Sequence, residues 1–190
     1  SAYKKGLISE ERLSHSVKKV LMAKYKVGLN NYRPIKIEGL IQDLNKVEDI
    51  ALNYKAYGKA LTLLKNKNQV LPLNSNVNVG HIALGDDSSN IFEKQLKIYG
   101  KIKTINESNI TEILNTTNDL DTIIVSFHRS NTTPYRAYKF SEKEISIISK
   151  LSEKKTLILD IFVKPYALLD IDHLKDIDAI LVSYQNSDLS

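Results

Sequence analysis

The chain has 190 residues, no cysteine and a formal net charge of +5, with 42% hydrophobic and 26% charged residues. That length suits one domain with an appendage, and the composition is ordinary for a globular protein. Disulfides and cysteine-ligated metals are excluded, and no apolar run approaches the roughly 20 residues that a membrane-spanning helix needs. The opening Ser1-Ala2-Tyr3-Lys4-Lys5 lacks the apolar core of a signal peptide. Charge is unevenly placed: residues 1–69 carry a net +8 and residues 70–190 a net −3. A basic half can attract a polyanion. Here Lys outweighs Arg and no aromatic RNA-binding signature accompanies it, so a solvated helical face is expected and no nucleic-acid partner.

The first predicted helix opens at Ser9 as cap, with Glu10 and Glu11 in the turn where the helix dipole favours negative charge. Ile8 and Leu13 are placed as a hydrophobic staple. Leu13, Val17, Val20 and Leu21 recur at helical spacing, and Gly28 is a natural stop. Asn30-Asn31-Tyr32-Arg33-Pro34 and Gly39 mark residues 30–45 as a linker. A second helix is expected near Asn45, with Glu48 as its capping-box partner. It runs into an apolar strand at Leu61–Leu64, a polar turn, and the clip Val70-Leu71-Pro72-Leu73.

From residue 77 strands and helices alternate. Val77–Leu84, Ile102–Ile105, Thr122–Phe127, Thr156–Phe162 and Ala179–Tyr184 read as strands. Ile91–Tyr99, Ile110–Leu114 and Ser141–Leu151 read as helices, the last with Ser141 and Glu144 as a capping box. Alternation of this kind implies βαβ units and a mostly parallel sheet sandwiched by helices. Val79, Ile82, Ile124, Val125, Leu157, Leu159, Ile180 and Val182 are the expected core.

Several motifs share one resemblance. Ala60-Leu-Thr-Leu-Leu-Lys-Asn66 with Val70-Leu-Pro-Leu73 resembles the "S-x-T-L-L-K-N … L-P-L" signature that opens the second domain of glycoside hydrolase family 3. Lys5-Gly6-Leu7-Ile8-Ser9-Glu10-Glu11-Arg12-Leu13 and the helix after it resemble the last helix of that family's TIM-type barrel. Leu157–Phe162 with Lys164-Pro165-Tyr166, and Asp176–Ser187, resemble two later strands of its second domain, the latter ending in Tyr-Gln-Asn. Ala60 departs from the pattern by replacing a small hydroxyl residue.

The resemblance implies a flavodoxin-like α/β sandwich at residues 46–190, truncated at its C-terminus, a remnant barrel helix at 1–29 and a linker at 30–45. It implies a retaining hydrolase of terminal β-linked sugars, in the β-N-acetylglucosaminidase-like branch. The catalytic aspartate would lie in the barrel, before residue 1, so the segment would carry no catalytic residue and no cofactor. Its partners would be the barrel of the same parent chain and, through the parent, carbohydrate. An exported or periplasmic parent fits the resemblance, and the sequence itself assigns no compartment. The competing class is a non-enzymatic flavodoxin-like binding module.

In an open α/β sheet ligands lie beyond the carboxyl ends of the strands. That rule nominates the loops at 85–90, 128–138, 163–166 and 185–190. The richest holds His128, Arg129 and Asn131, which suit directed hydrogen bonds to sugar hydroxyls or a carboxylate; the same residues also suit a polar loop facing another domain or water. Asp86-Asp87, Ser126 and Lys164-Pro165 mimic a receiver domain, but Thr122–Phe127 ends without the acceptor aspartate that chemistry needs. Asp160 with Asp87 could be proposed as a carboxylate pair for glycoside hydrolysis, though nothing in their spacing demands it. His15, His81 and His173 stand isolated in the sequence, with no metal-ligand spacing.

Overall fold

A computed structural model describes residues 2–85, 90–106, 109–130, 135, 138–172 and 174–186. The chain divides into two compact units, Ser1–Lys46 and Val47–Ser190.

The first unit is helical. Helix α1, Glu10–Lys26, is capped by Ser9, whose Oγ accepts the Arg12 N–H, and it carries Lys24 and Lys26 in its last turn. The chain leaves it through Gly28 at φ 81°, a conformation that a Cβ disfavours. None of its residues is buried. The stretch expected as linker contains a short helix, α2, Leu40–Leu44. Asn45 does not cap the helix that follows. It ends α2, and its side-chain amide turns back to donate to the Ile41 carbonyl.

The second unit begins with α3, Val47–Ala60, and β1, Thr62–Asn66. The Leu-Lys-Asn … Leu-Pro-Leu motif has a local physical cause. Asn66 Oδ1 accepts the Leu71 N–H at 3.0 Å and Asn66 Nδ2 donates to the Leu71 carbonyl at 2.9 Å. One side-chain amide thus imitates a β-bridge and folds the apolar clip back beneath the sheet. The Leu71–Pro72 peptide that follows is cis.

Then come β2 (Val79–Gly85), α4 (Asn90–Tyr99), β3 (Ile102–Thr104), α5 (Ile110–Thr116), β4 (Thr122–His128), α6 (Glu142–Ser152), β5 (Thr156–Phe162) and β6 (Ala179–Val182). The six strands are ordered β1-β6-β5-β4-β2-β3. All neighbours run parallel except β1, which pairs antiparallel with β6 at one edge. The expected α/β class, with a mostly parallel sheet flanked by helices, is what the chain adopts. β-Branched runs set the strands, and alternation assigns their side chains to faces.

One face is strongly apolar. Ile82, Ile123, Val125, Phe127, Leu157, Leu159, Ile161, Ile180 and Val182 pack beneath α5 and α6, meeting Ile113, Ile147, Ile148 and Leu151. The capping box expected at Ser141 and Glu144 fixes the start of α6. On the opposite face the apolar set near the amino ends of the strands is Val79, Ile124, Ile158 and Ala179, packed against Phe92 and Leu96 of α4 and Leu71 and Leu73 of the clip. All eight residues expected in the core are buried. Each such side chain contributes about 1.5–3 kcal/mol.

Because β3 lies outside β2 and β4 lies on its other side, the winding reverses between β2 and β4. In doubly wound sheets the ligand crevice forms at such a reversal, at the carboxyl ends of the strands. Here those ends are Gly85 and His128, which are paired in register.

Candidate functional site

The second face changes character along the strands. Near their amino ends it is the apolar set just described. Toward their carboxyl ends the same alternation presents His81 from β2, Ser126 and His128 from β4 and Asp160 from β5, with Ser183 just past β6. All five are buried. Parallel register places Ser126 opposite Asp160 and His128 opposite Phe162.

These groups are joined by hydrogen bonds. Ser126 Oγ lies 2.8 Å from His81 Nε2 and 2.9 Å from His128 Nε2. His128 Nδ1 lies 2.9 Å from Asn186 Oδ1. His81 Nδ1 faces Glu93 Oε2 of α4 at 3.5 Å, an electrostatic contact without hydrogen-bond alignment. The other Glu93 oxygen is held by Lys97 and Thr104. Aromatic rings enclose the row: Phe92 meets His81 and Phe162, and Phe162 stacks on His128 at 4.4 Å. Burial pulls the His81 pKa below the ordinary histidine value, opposed by the Glu93 charge. Burial pushes the Asp160 carboxyl up to about 6, opposed by the hydrogen bond that Ser183 Oγ donates.

The turn after β6 ties the row to the rest of the unit. Four consecutive residues reach four different elements. Ser183 bonds Asp160 on β5, and Tyr184 bonds Thr62 on β1. Tyr57 on α3 donates its hydroxyl to Gln185, and Asn186 meets His128 on β4. Thr62 Oγ1 already donates to the Ala60 carbonyl, so the Tyr184 hydroxyl is the donor to Thr62. Tyr184 sits at φ 65°, a left-handed conformation that costs a non-glycine residue about 1–2 kcal/mol. It turns the chain so that successive side chains fan apart. This accounts physically for the Tyr-Gln-Asn motif.

Of the residues nominated from sequence, His128 is 0% exposed, inside the row rather than on a cleft wall. Arg129 Nη2 donates to Glu144 Oε2 at 2.9 Å and to the Lys139 carbonyl, and its guanidinium covers the Phe127 ring. That contact ties the β4 loop to the capping box of α6. Asn131, Asp86, Asp87 and His173 lie outside the described residues. Lys164 lies over the Tyr138 ring. His81, isolated in the sequence, is at the centre of the network. Its partner Ser126 is 45 positions away and is brought near only by strand pairing. Among the described residues no group of three or more His, Cys, Asp or Glu is placed to hold a metal, and no helix is long and apolar enough to cross a membrane.

No family model matches the chain. In sequence, 87 residues, 45% of this chain, are 32% identical to the lysosomal beta glucosidase of Dictyostelium discoideum and make up 11% of that protein. In structure, a mutant β-glucosidase of Listeria innocua in complex with laminaribiose matches 96% of this chain with a TM-score of 0.76 at 17% identity. A glycoside hydrolase family 3 β-N-acetylglucosaminidase of a Paenibacillus strain matches 99% with a TM-score of 0.60 at 18% identity. The chain has the fold of a segment of these glycosidases. It spans 29% and 37% of the two solved chains, so nearly all of it is accommodated within a minor part of each.

Proposed function

We propose that the chain is the C-terminal α/β domain of a family 3 glycoside hydrolase, residues 46–190, preceded by a linker and the closing helix of the barrel at 1–29. The parent hydrolyses terminal β-linked sugars with retention. This segment packs against and positions the barrel. The observation that carries the reading is the match of 96% of this chain, at TM-score 0.76, to only 29% of a β-glucosidase. The motifs read from sequence and the 32% identity to a second β-glucosidase support it. Those motifs favour an N-acetylglucosaminide as substrate, and the likeness to β-glucosidases a glucoside, so both belong in the assay.

The test has two arms. The purified chain is assayed with aryl β-glucosides and aryl β-N-acetylglucosaminides, and so is the full-length product of its gene. Turnover is expected from the full-length product alone. Turnover by the chain itself that is abolished by Asp160→Asn would place the chemistry here and overturn the proposal. A gene encoding no barrel sequence upstream would turn the reading toward a binding module.

A further inference from the structure

A cavity of about 280 Å³ opens between α3 and the turn after β6. Asn53, Ala56, Tyr57 and Ala60 recur at helical spacing and so share one face of α3. Ser183, Tyr184 and Gln185 form the opposite wall. The cavity belongs to the carboxyl edge of the sheet, because Val182 ends β6 and is paired with Thr62, the first residue of β1. Ligands of open α/β sheets lie along that edge.

The walls are held by bonds that leave other groups open. The Tyr57 hydroxyl donates to Gln185 Oε1 at 2.9 Å, tying α3 to the turn. The Tyr184 hydroxyl is anchored on Thr62. Gln185 N–H donates to the Ser183 carbonyl at 2.7 Å and closes a three-residue turn around Tyr184, whose φ of 65° marks the rare, strained form of such a turn. Backbone strain of this kind persists only where the surroundings impose it, and it gathers at ligand sites. Among the described residues the Asn53 amide and Gln185 Nε2 have no hydrogen-bond partner, so each wall keeps an amide for a ligand.

The chemistry selects the ligand. No charged side chain lines the cavity, so an ionic ligand would shed water there without a counter-charge. Primary amides and phenolic hydroxyls donate and accept, which suits ligand hydroxyls that do both. Tyr57 and Tyr184 add ring carbon, and Ala56 and Ala60 a small apolar floor. A pyranose ring has the matching surfaces, with C–H groups on its faces and hydroxyls around its edge. The volume lies at the small end of ligand pockets and suits one ring rather than a chain.

We propose that the cavity between α3 and the Tyr184–Gln185 turn is a binding site for a single neutral sugar ring. Asn53 and Gln185 bond its hydroxyls, and Tyr184 lies against its apolar face. The site binds and carries out no chemistry, so it stands apart from the hydrolysis assigned to the parent.

The test is a ¹H–¹⁵N NMR titration of the full chain with glucose and with N-acetylglucosamine, and with laminaribiose to separate a free monosaccharide from the end of a longer sugar. Saturating shifts with one of the monosaccharides are expected at the side-chain amides of Asn53 and Gln185 and at the backbone amides of 183–185, with a dissociation constant on the order of 1 mM. Laminaribiose should bind within about threefold of glucose, since one ring enters. Glycerol has hydroxyls but no ring face and should not saturate. Asn53→Ala should weaken binding roughly threefold to tenfold. Ala60→Leu, at an exposed helix position, fills the floor and should abolish it. No saturating shift with either monosaccharide at about 50 mM would overturn the proposal. So would shifts centred on other residues, saturation by glycerol, or laminaribiose binding more than about tenfold tighter than glucose. Unchanged binding by Ala60→Leu would also overturn it. The wild-type titrations decide the matter even if a variant fails to fold, and they involve no turnover, so their outcome is independent of the hydrolysis assay.

Discussion

Ser183 Oγ donates a hydrogen bond to Asp160 Oδ1 at 2.9 Å across the β5–β6 pair, and Asp160 is 6% exposed. One neutral donor does not offset the desolvation of a buried carboxylate, so the carboxyl is raised to about 6. A raised carboxyl binds its proton more tightly in the folded state than in the unfolded one. Its contribution is therefore most favourable at low pH and is lost as pH rises from the ordinary aspartate value of 3.8 through about 6. Asp160→Asn keeps the shape and the acceptor without the charge. It should leave stability near pH 4 almost unchanged and raise it at pH 8 by on the order of 2–3 kcal/mol. Urea unfolding at the two pH values measures this, and equal effects at both would contradict it.

His81 has the opposite sign. Its pKa is lowered by burial, so the unfolded chain binds the proton more tightly, and stability falls as pH drops below the ordinary histidine value of 6.5. His81→Gln retains a polar group toward Ser126 and should flatten the stability profile below that value. A profile of the Asp160→Asn variant that stays level from pH 6.5 to 5 would count against it.

Gly85 closes β2 at φ 108°, and a Cβ there would meet the His128 carbonyl oxygen at 1.7 Å. The neighbour is backbone and cannot rotate away. Gly85→Ala should cost more than about 3 kcal/mol, a fall in melting temperature of roughly 10 °C. Gly39 also has positive φ, 73°, but nothing lies within 4 Å of its Cβ position. Gly39→Ala should therefore cost only about 1 kcal/mol of backbone strain. Thermal melts of the pair separate collision from strain, and equal losses would refute the distinction.

Arg129 and Glu144 are a mostly buried pair, with side chains 16% and 13% exposed, and Ser141 donates to the same carboxylate oxygen. A double-mutant cycle with Arg129→Met and Glu144→Gln should give a coupling of about 1.5–3 kcal/mol. A coupling near zero would contradict this.

Among the described residues every buried core residue lies at or beyond Val79, and α1 buries none. Deleting residues 1–29 should leave the 47–190 unit cooperatively folded, with a melting temperature within about 3 °C of the parent chain, since surface changes away from packed features move stability little. Collapse of the sheet on deletion would show the helix to be integral.

The sequence by itself determined the strands, most of the helices and the class of sheet. Period-two β-branched runs such as Thr122–Phe127 and a capping box such as Ser141 with Glu144 act over a few residues, and local sterics and hydrogen bonds resolve them. The Leu-Pro-Leu clip is legible as a motif, but its cause, the Asn66 amide imitating a bridge to Leu71, exists only once the chain has folded. Only the tertiary structure decided that β1 runs antiparallel at the edge and that Asn45 ends one helix rather than starting the next. It alone turned His81 from an isolated residue into the centre of a buried network. Partners such as Ser126, His128 and Asp160 are set by strand order and register, which are long-range choices among alternatives of similar local energy. Once parallel pairing is fixed, alternation carries these polar groups to one face, and the cost of burying them unpaired compels the bonds they make.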